Sequence, residues 1–256
     1  MAKNRFLSTL LAGSVLAGSS FLGAAPVWAQ RTRTSELGLG VGATNYRGEV
    51  SPQYQFQNNR PALTVFYRRD VSAPVTLRGG FTAGFLRATD ANVDGVNGGI
   101  PPLQDYRQVS MKGGLAEVSA VVEYNFLDYH RRADQHRVHA TPYLFAGIAG
   151  YYASTTTKSQ NVALQPDFNR SGGRLGFTIP AGVGIKVALS EHFNVGAEIG
   201  ARKAFTDQLD HLSNQDPLFV NSHDQDWYYY NGISVSYTFY KIHCPPPYGR
   251  NKGLLK

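Results

Sequence analysis

The chain has a single cysteine, Cys244, in 256 residues, so it forms no internal disulfide and offers no cysteine cluster to a metal. Charged residues amount to only 17%, and no stretch beyond residue 29 reaches the roughly 18 uninterrupted apolar residues of a membrane helix. A helical membrane bundle is thereby excluded, while 42% hydrophobic residues are too many for a disordered chain. No glycine-rich loop cradles phosphate or nucleotide, so no cofactor is expected. What is abundant is glycine, tyrosine and phenylalanine, at 27, 15 and 14 residues.

Residues 1–29 read as a secretory signal. Lys3 and Arg5 form the positive end, Phe6 to Leu22 a small, apolar stretch, and Val27-Trp28-Ala29 a cleavage pattern before Gln30. Its removal takes two of 25 basic residues and none of the 18 acidic ones, so the remainder stays basic. For an exported chain this balance points to anionic lipid headgroups and away from nucleic acid. In an oxidising compartment the lone Cys244 thiol is buried, modified or paired with another chain.

The recurring pattern is alternation with period two, the mark of strands with one apolar face. ELGLGVGATNY puts Leu37, Leu39, Val41 and Ala43 on one face, and VTLRGGFTAGFL does the same with Val75, Leu77, Phe81, Ala83 and Phe85. LAEVSAVVEYNF, FTIPAGVGIKVAL and FNVGAEIGAR repeat it. Ala62 to Arg69, Thr141 to Tyr152 and Trp227 to Tyr240 are less regular, and TPYLFAGIAGYY is apolar on both faces, leaving its orientation open. Eight strands result. Their connections, near 47–61, 70–74, 87–114, 128–139, 153–174, 190–192 and 203–226, alternate between long and short. The expectation is an all-β, eight-stranded antiparallel transmembrane β-barrel, an up-and-down meander with short periplasmic turns and long outer loops. It would occupy residues 30–240, with a periplasmic tail at 241–256. An even strand count puts both termini in the periplasm of an outer-membrane protein.

A soluble β-sandwich or lipocalin-like barrel also alternates, but its polar face would be rich in Lys and Glu. Here that face carries Gly, Ser and Thr with a few charges of both signs: Arg78, Glu117, Glu123, Lys186, Glu198 and Arg202. Such residues suit the crowded interior of a small barrel, with Lys186 and Glu198 expected to pair across the short turn near 190. Two aromatic girdles are expected. Tyr46, Tyr67, Tyr151, Tyr152 and Trp227 to Tyr230 would form the outer one, and Phe126, Phe193 and Phe239 the periplasmic one.

Candidate chemistry is sparse. Asp210, His211 and Ser213 lie within four positions, and His211-x-Ser213-Asn214 resembles the pattern of outer-membrane lipid A deacylases, although the surrounding sequence departs from that family. On the strand reading they lie in the last long loop, where no regular element fixes a base beside a nucleophile. Asp207, Asp210, Asp216, Asp224 and Asp226 lack the glycine punctuation of a calcium loop, so a solvated face is the reading there. His130, His136 and His139, with Arg131, Arg132 and Arg137, form either a basic turn or a docking surface. No metal ligand set and no small-molecule substrate are expected.

NYRGEV (45–50), VVEYNFLDY (121–129), TPYLFAGIAGYY (141–152), IPAGVGIKVAL (179–189), EIGARKAFTDQLDHLS (198–213) and DWYYYNGISVSYTF (226–239) occur in that order. Together they resemble the Bacteroidota outer-membrane β-barrel family that includes PorG of the type IX secretion system. The resemblance implies a non-enzymatic component that links the outer membrane to a periplasmic ring of lipoprotein and soluble subunits. Asp210 and Ser213 would then belong to a structural pattern, from which His211 departs. The expected partners are outer-membrane lipid and those ring subunits, met through His130, Arg131, Arg132 and the Cys244-Pro-Pro-Pro tail. A lipid A hydrolase and a surface adhesion barrel are the competing classes.

Overall fold

The computed structural model describes residues 33–48, 50–93, 95, 98–127, 129, 139–205 and 226–241. Its strands are β1 (Arg33–Arg47), β2 (Arg60–Asp70), β3 (Val75–Thr89), β4 (Val109–Asn125), β5 (His139–Ser159), β6 (Arg170–Ala188), β7 (Phe193–Ala204) and β8 (Trp227–Lys241). Each pairs antiparallel with its neighbours in sequence, and β1 pairs with β8 from Arg33↔Lys241 to Arg47↔Trp227, so the sheet is a closed meander barrel. Closure leaves no strand edge.

At one end the β2–β3 and β6–β7 hairpins are tight. Val71 N donates to Val75 O at 2.9 Å, Leu189 N to Phe193 O at 2.9 Å, and Ser190 Oγ accepts from Phe193 N at 3.0 Å. Serine side chains here satisfy backbone groups that the short turns leave unpaired. At the other end the connections are long and partly folded. They carry 3-10 turns at Phe56–Asn58, Asp90–Asn92 and Val162–Leu164, and short helices α1 (Pro102–Arg107) and α2 (Gln165–Phe168). The first is the turn end of the barrel and the second its loop end.

The strands place apolar residues outward. Leu39, Leu63, Val118, Ile148 and Ile233 are 61–71% exposed, whereas Glu36, Arg68, Glu123 and Lys186 are at most 3% exposed. A soluble protein buries the first group and exposes the second. Inverted polarity on a closed barrel is the architecture of a transmembrane strand protein, whose backbone polar groups are satisfied between strands in lipid. No helix among the described residues is long and apolar enough to cross a membrane.

Three strands run further toward the loop end than their apolar pattern does. β4 starts at Val109, β5 continues to Ser159 and β6 begins at Arg170. In these extensions outward positions are polar, as at Ser110, Lys112, Ser154, Thr156 and Lys158, while Val109, Met111, Ala153, Thr155 and Thr157 stay buried inside. Ladder pairing continues after the apolar exterior stops, from Lys112↔Thr156 to Val109↔Ser159.

Candidate functional site

The lumen is the most chemically organised part of the described protein. Period two sends Glu36, Arg68, Arg78, Glu123, Lys186 and Glu198 inward from six different strands, where they meet as three acids and three bases. Glu123 sits at the centre. Its Oε1 lies 3.1 Å from Arg68 Nε and 2.9 Å from Arg78 Nε, and its Oε2 2.5 Å from Lys186 Nζ. Lys186 also donates to Asn125 Oδ1 at 2.9 Å, Arg78 Nη1 to Glu198 Oε2 at 2.5 Å, and Arg68 Nη1 to Glu36 Oε2 at 3.5 Å. Aromatic faces fill the remaining space. Arg68 lies 4.1 Å from the Phe66 ring centre, Arg78 4.8 Å from that of Phe145, and Lys186 4.5 Å from that of Tyr143.

Glu36 gathers hydroxyl and amide donors from around the wall. Tyr129 OH donates at 2.6 Å, Ser236 Oγ at 3.1 Å and Asn194 Nδ2 at 3.2 Å. Nearer the loop end Glu117 accepts from Tyr228 OH and stands 3.5 Å from Arg202 Nε, without hydrogen-bond geometry to that atom. Above this tier Tyr46, Leu86, Val109, Met111, Tyr151 and Phe168 belong to a buried apolar plug. Charges balanced within a desolvated, hydrogen-bonded cluster tie strands together across the lumen and fill it with side chains.

The loop end is also locked. Asp90 takes Arg107 Nε at 2.9 Å and Nη2 at 2.7 Å, and its Oδ2 accepts Val109 N at 2.8 Å. Gln108 between them has a φ of 46°, a left-handed residue that ends α1 through its N–H to Gln104 O at 2.9 Å. Ser159 Oγ donates to Arg107 O at 2.7 Å, joining this loop to β5.

Arg78, Glu117, Glu123, Lys186, Glu198 and Arg202 all face the lumen, but Lys186 and Glu198 are not partners. The register sets Lys186 opposite Gly196 and Glu198 opposite Gly184, and each charge reaches across the barrel, to Glu123 and to Arg78. Glu36 and Arg68 escaped the sequence reading. Their even parity in β1 and β2, shared with Gly38 and Phe66, was the signal that could have found them.

The outer girdle also differs from expectation. Tyr46, Tyr151, Tyr228 and Tyr230 point inward and are at most 2% exposed. Inside, Tyr46 donates its hydroxyl to Asp226 Oδ1 at 2.5 Å and Tyr228 donates to Glu117 Oε2. Tyr67 lies at the turn end, because β2 turns into β3 just after it, and donates to Ser35 Oγ at 3.0 Å. That end carries the clearer belt, with Tyr124 against Phe126 at 5.3 Å and Tyr237 against Phe193 at 5.3 Å and Phe239 at 4.9 Å.

His130, Arg131, Arg132, Asp210, His211, Ser213 and Cys244 lie outside the described residues, as do the signal segment and the tail beyond Lys241, which ends β8. Among the described residues, no group of three or more His, Cys, Asp or Glu side chains could hold a metal ion.

A family model described as a domain of unknown function, DUF6089, matches residues 21–247. The chain belongs to the DUF6089 family. No curated protein matches it in sequence. Among solved structures, this DUF6089 chain is similar to Ail of Yersinia pestis in complex with the heparin analogue sucrose octasulfate. That pair is 11% identical with a TM-score of 0.45, over 82% of this chain and 100% of Ail. It is also similar to the N-terminal β-barrel domain of OprF of Pseudomonas aeruginosa, at 15% identity and a TM-score of 0.42, over 82% and 100% of the two chains. A third likeness is to OprG of the same organism, at 10% identity and 0.40, over 83% and 98%.

Proposed function

We propose that this protein is a non-enzymatic barrel of the outer membrane and a PorG-like component of type IX protein secretion that contacts the periplasmic ring. The observation that carries the non-enzymatic, non-channel reading is the closed lumen: Glu123 bridges Arg68, Arg78 and Lys186 across it. A barrel of this size filled by its own side chains acts through its ends and its outer wall. In this reading the turn end and both termini face the periplasm, and the segment with His130, Arg131 and Arg132 and the tail with Cys244 meet the lipoprotein and soluble ring subunits. The sequence resemblance supports that choice of partner.

The test is a pull-down of the tagged full chain from detergent-solubilised outer membranes, with co-purifying proteins identified by mass spectrometry. Ring subunits in near-stoichiometric amounts are expected. A barrel recovered alone overturns the secretion reading and leaves the membrane barrel standing. A second reading, a surface adhesion barrel, draws on the folded loop end, where Asp90 and Arg107 brace the connection between β3 and β4. It requires ligand binding to intact cells that is lost when residues 90–108 are replaced.

A further inference from the structure

The outward charges of the described strands are all of one sign. Arg47, Arg69, Arg87, Lys112, Lys158 and Lys203 lie on the outward parity of their strands, and every described Asp and Glu within the strands lies on the inward one. Arg69 is at the turn end, where the terminal strand residues Arg33 and Lys241 share the outward parity, and the other five are at the loop end. The loop-end rim therefore presents an outward positive ring directly above the apolar wall.

Below this ring, on β2 to β5, lies a trough of about 680 Å³ in the outer wall. Ala83, Gly114 and Ala116 form its floor, with Leu63 and Phe85 on one flank and Tyr152 on the other. Three successive outward rows climb the wall. Ala83, Ala116 and Tyr152 are register partners, then Phe85, Gly114 and Ser154, then Arg87, Lys112 and Thr156. Two residues of strand rise separate one row from the next, about 7 Å. The surface thus passes from apolar to cationic within the span of a lipid's acyl–headgroup boundary.

Arg87 and Lys112 stand directly opposite each other in the ladder. Like charges so placed repel, and no carboxylate lies on the outward face of β3, β4 or β5 to offset them. Among the described residues, Arg87 Nε is moreover enclosed without a hydrogen-bond partner. An enclosed guanidinium donor beside a second cation lacks an acceptor with negative charge.

We propose that this face binds one phosphorylated lipid, with an acyl chain in the trough over Ala83, Gly114 and Ala116 and the phosphate on Arg87 and Lys112. The proposal rests on the membrane-barrel reading and is independent of the secretion partner. The phosphate supplies the acceptor that Arg87 Nε lacks and separates the paired cations, and the trough selects a lipid over a soluble anion. A larger trough of about 970 Å³ near Val41, Leu144, Val183 and Ile233 has no cation in its lining, where Glu198 is the one charged residue, so it offers a phosphate no partner.

The test is native mass spectrometry of the full-length barrel in detergent, titrated with bisphosphorylated lipid A, the same lipid with its phosphates removed, and phosphatidylcholine. Wild-type protein is expected to retain the phosphorylated lipid preferentially. Arg87→Gln with Lys112→Gln should weaken that binding by about tenfold or more, as expected for two headgroup-facing cations. Gly114→Leu should weaken it too. A Cβ at Gly114 meets no atom within 4 Å, so the leucine fills the trough without pressing on the barrel. Arg47→Gln with Lys203→Gln, which removes equal charge elsewhere on the rim, should leave binding unchanged. Equal retention of the dephosphorylated lipid, an unaffected Arg87/Lys112 variant, or an equal loss in the Arg47/Lys203 variant overturns the proposal. So does complete displacement by inorganic phosphate with Gly114→Leu silent, which marks a simple anion site. Insertion into lipid vesicles, read by the gel shift of folded against heated protein, is scored separately. Failure to insert removes the membrane reading and this proposal together, whereas insertion without lipid discrimination removes this proposal alone.

Discussion

Tyr129, in the connection between β4 and β5, reaches into the lumen and donates its hydroxyl to Glu36 Oε1 at 2.6 Å. Burial, then the Glu36 carboxylate, pushes the Tyr129 phenol well above its usual value, so it remains a donor at physiological pH. This contact ties a turn-end connection to β1 on the far side of the barrel. Tyr129→Phe keeps the ring and removes the donor, leaving Glu36 with Ser236, Asn194 and Arg68. A loss of about 1.5–3 kcal/mol is expected for a hydrogen bond to a charged group. Urea unfolding in vesicles, followed by tryptophan fluorescence, measures it.

Glu123 is the counter-charge for three bases. Glu123→Gln leaves Arg68, Arg78 and Lys186 facing only Glu36 and Glu198 in the cluster, and should destabilise by about 3–5 kcal/mol. Adding Lys186→Met restores the balance of charge and should recover part of that loss. Comparing the unfolding midpoints of the two variants separates charge imbalance from lost packing; equal midpoints would show that the imbalance is immaterial.

The Asp90–Arg107 pair governs the loop end without contributing to the membrane wall. Asp90→Asn weakens both Arg107 contacts and the bond from Val109 N at 2.8 Å. Hydrogen exchange at the Val109 amide should accelerate at least tenfold, while amides near Val118 keep their protection. Uniform acceleration along β4 would mean that the loop lock also supports the barrel.

Much of this architecture was legible because alternation and connection length are both local. Leu37, Leu39 and Val41 declare an outward face within one strand, and the 71–74 turn declares a tight hairpin by its length. What was not legible depends on the third dimension. TPYLFAGIAGYY has apolar residues at both parities, and only its register with β4 and β6 sends Tyr143, Phe145 and Tyr151 inward and Leu144, Ile148 and Tyr152 outward. The partner of Lys186 could not be read from the neighbouring hairpin strand, because a narrow lumen lets long side chains cross it and meet a strand distant in sequence. The inward tyrosines were misplaced for a related reason. An aromatic at a strand end suits a girdle or a plug equally, and parity decides between them. Tyr228 has the even parity of Ser236 and Thr238, both buried, and Tyr237 the odd parity of the exposed Phe239.

Leu39 provides the direct test of the inverted polarity. It is 65% exposed and lies in an outward row with Val65, Phe81 and Val118. On a soluble barrel, arginine at so exposed a site would cost almost nothing. At the level of the hydrocarbon midplane it should cost about 2–4 kcal/mol, falling to about 0–1 near an interface. Thr156→Arg, in the row of Lys112 at the loop end, supplies the interfacial reference. The prediction is a depth profile: Leu39→Arg and Val118→Arg strongly destabilised in vesicle refolding, Thr156→Arg close to wild type. A flat profile would contradict a membrane-spanning wall. A gradient that instead grows toward the turn end would move the bilayer along the barrel and detach the Arg87–Lys112 rim from the headgroups. The same series therefore fixes the height at which the cationic ring sits.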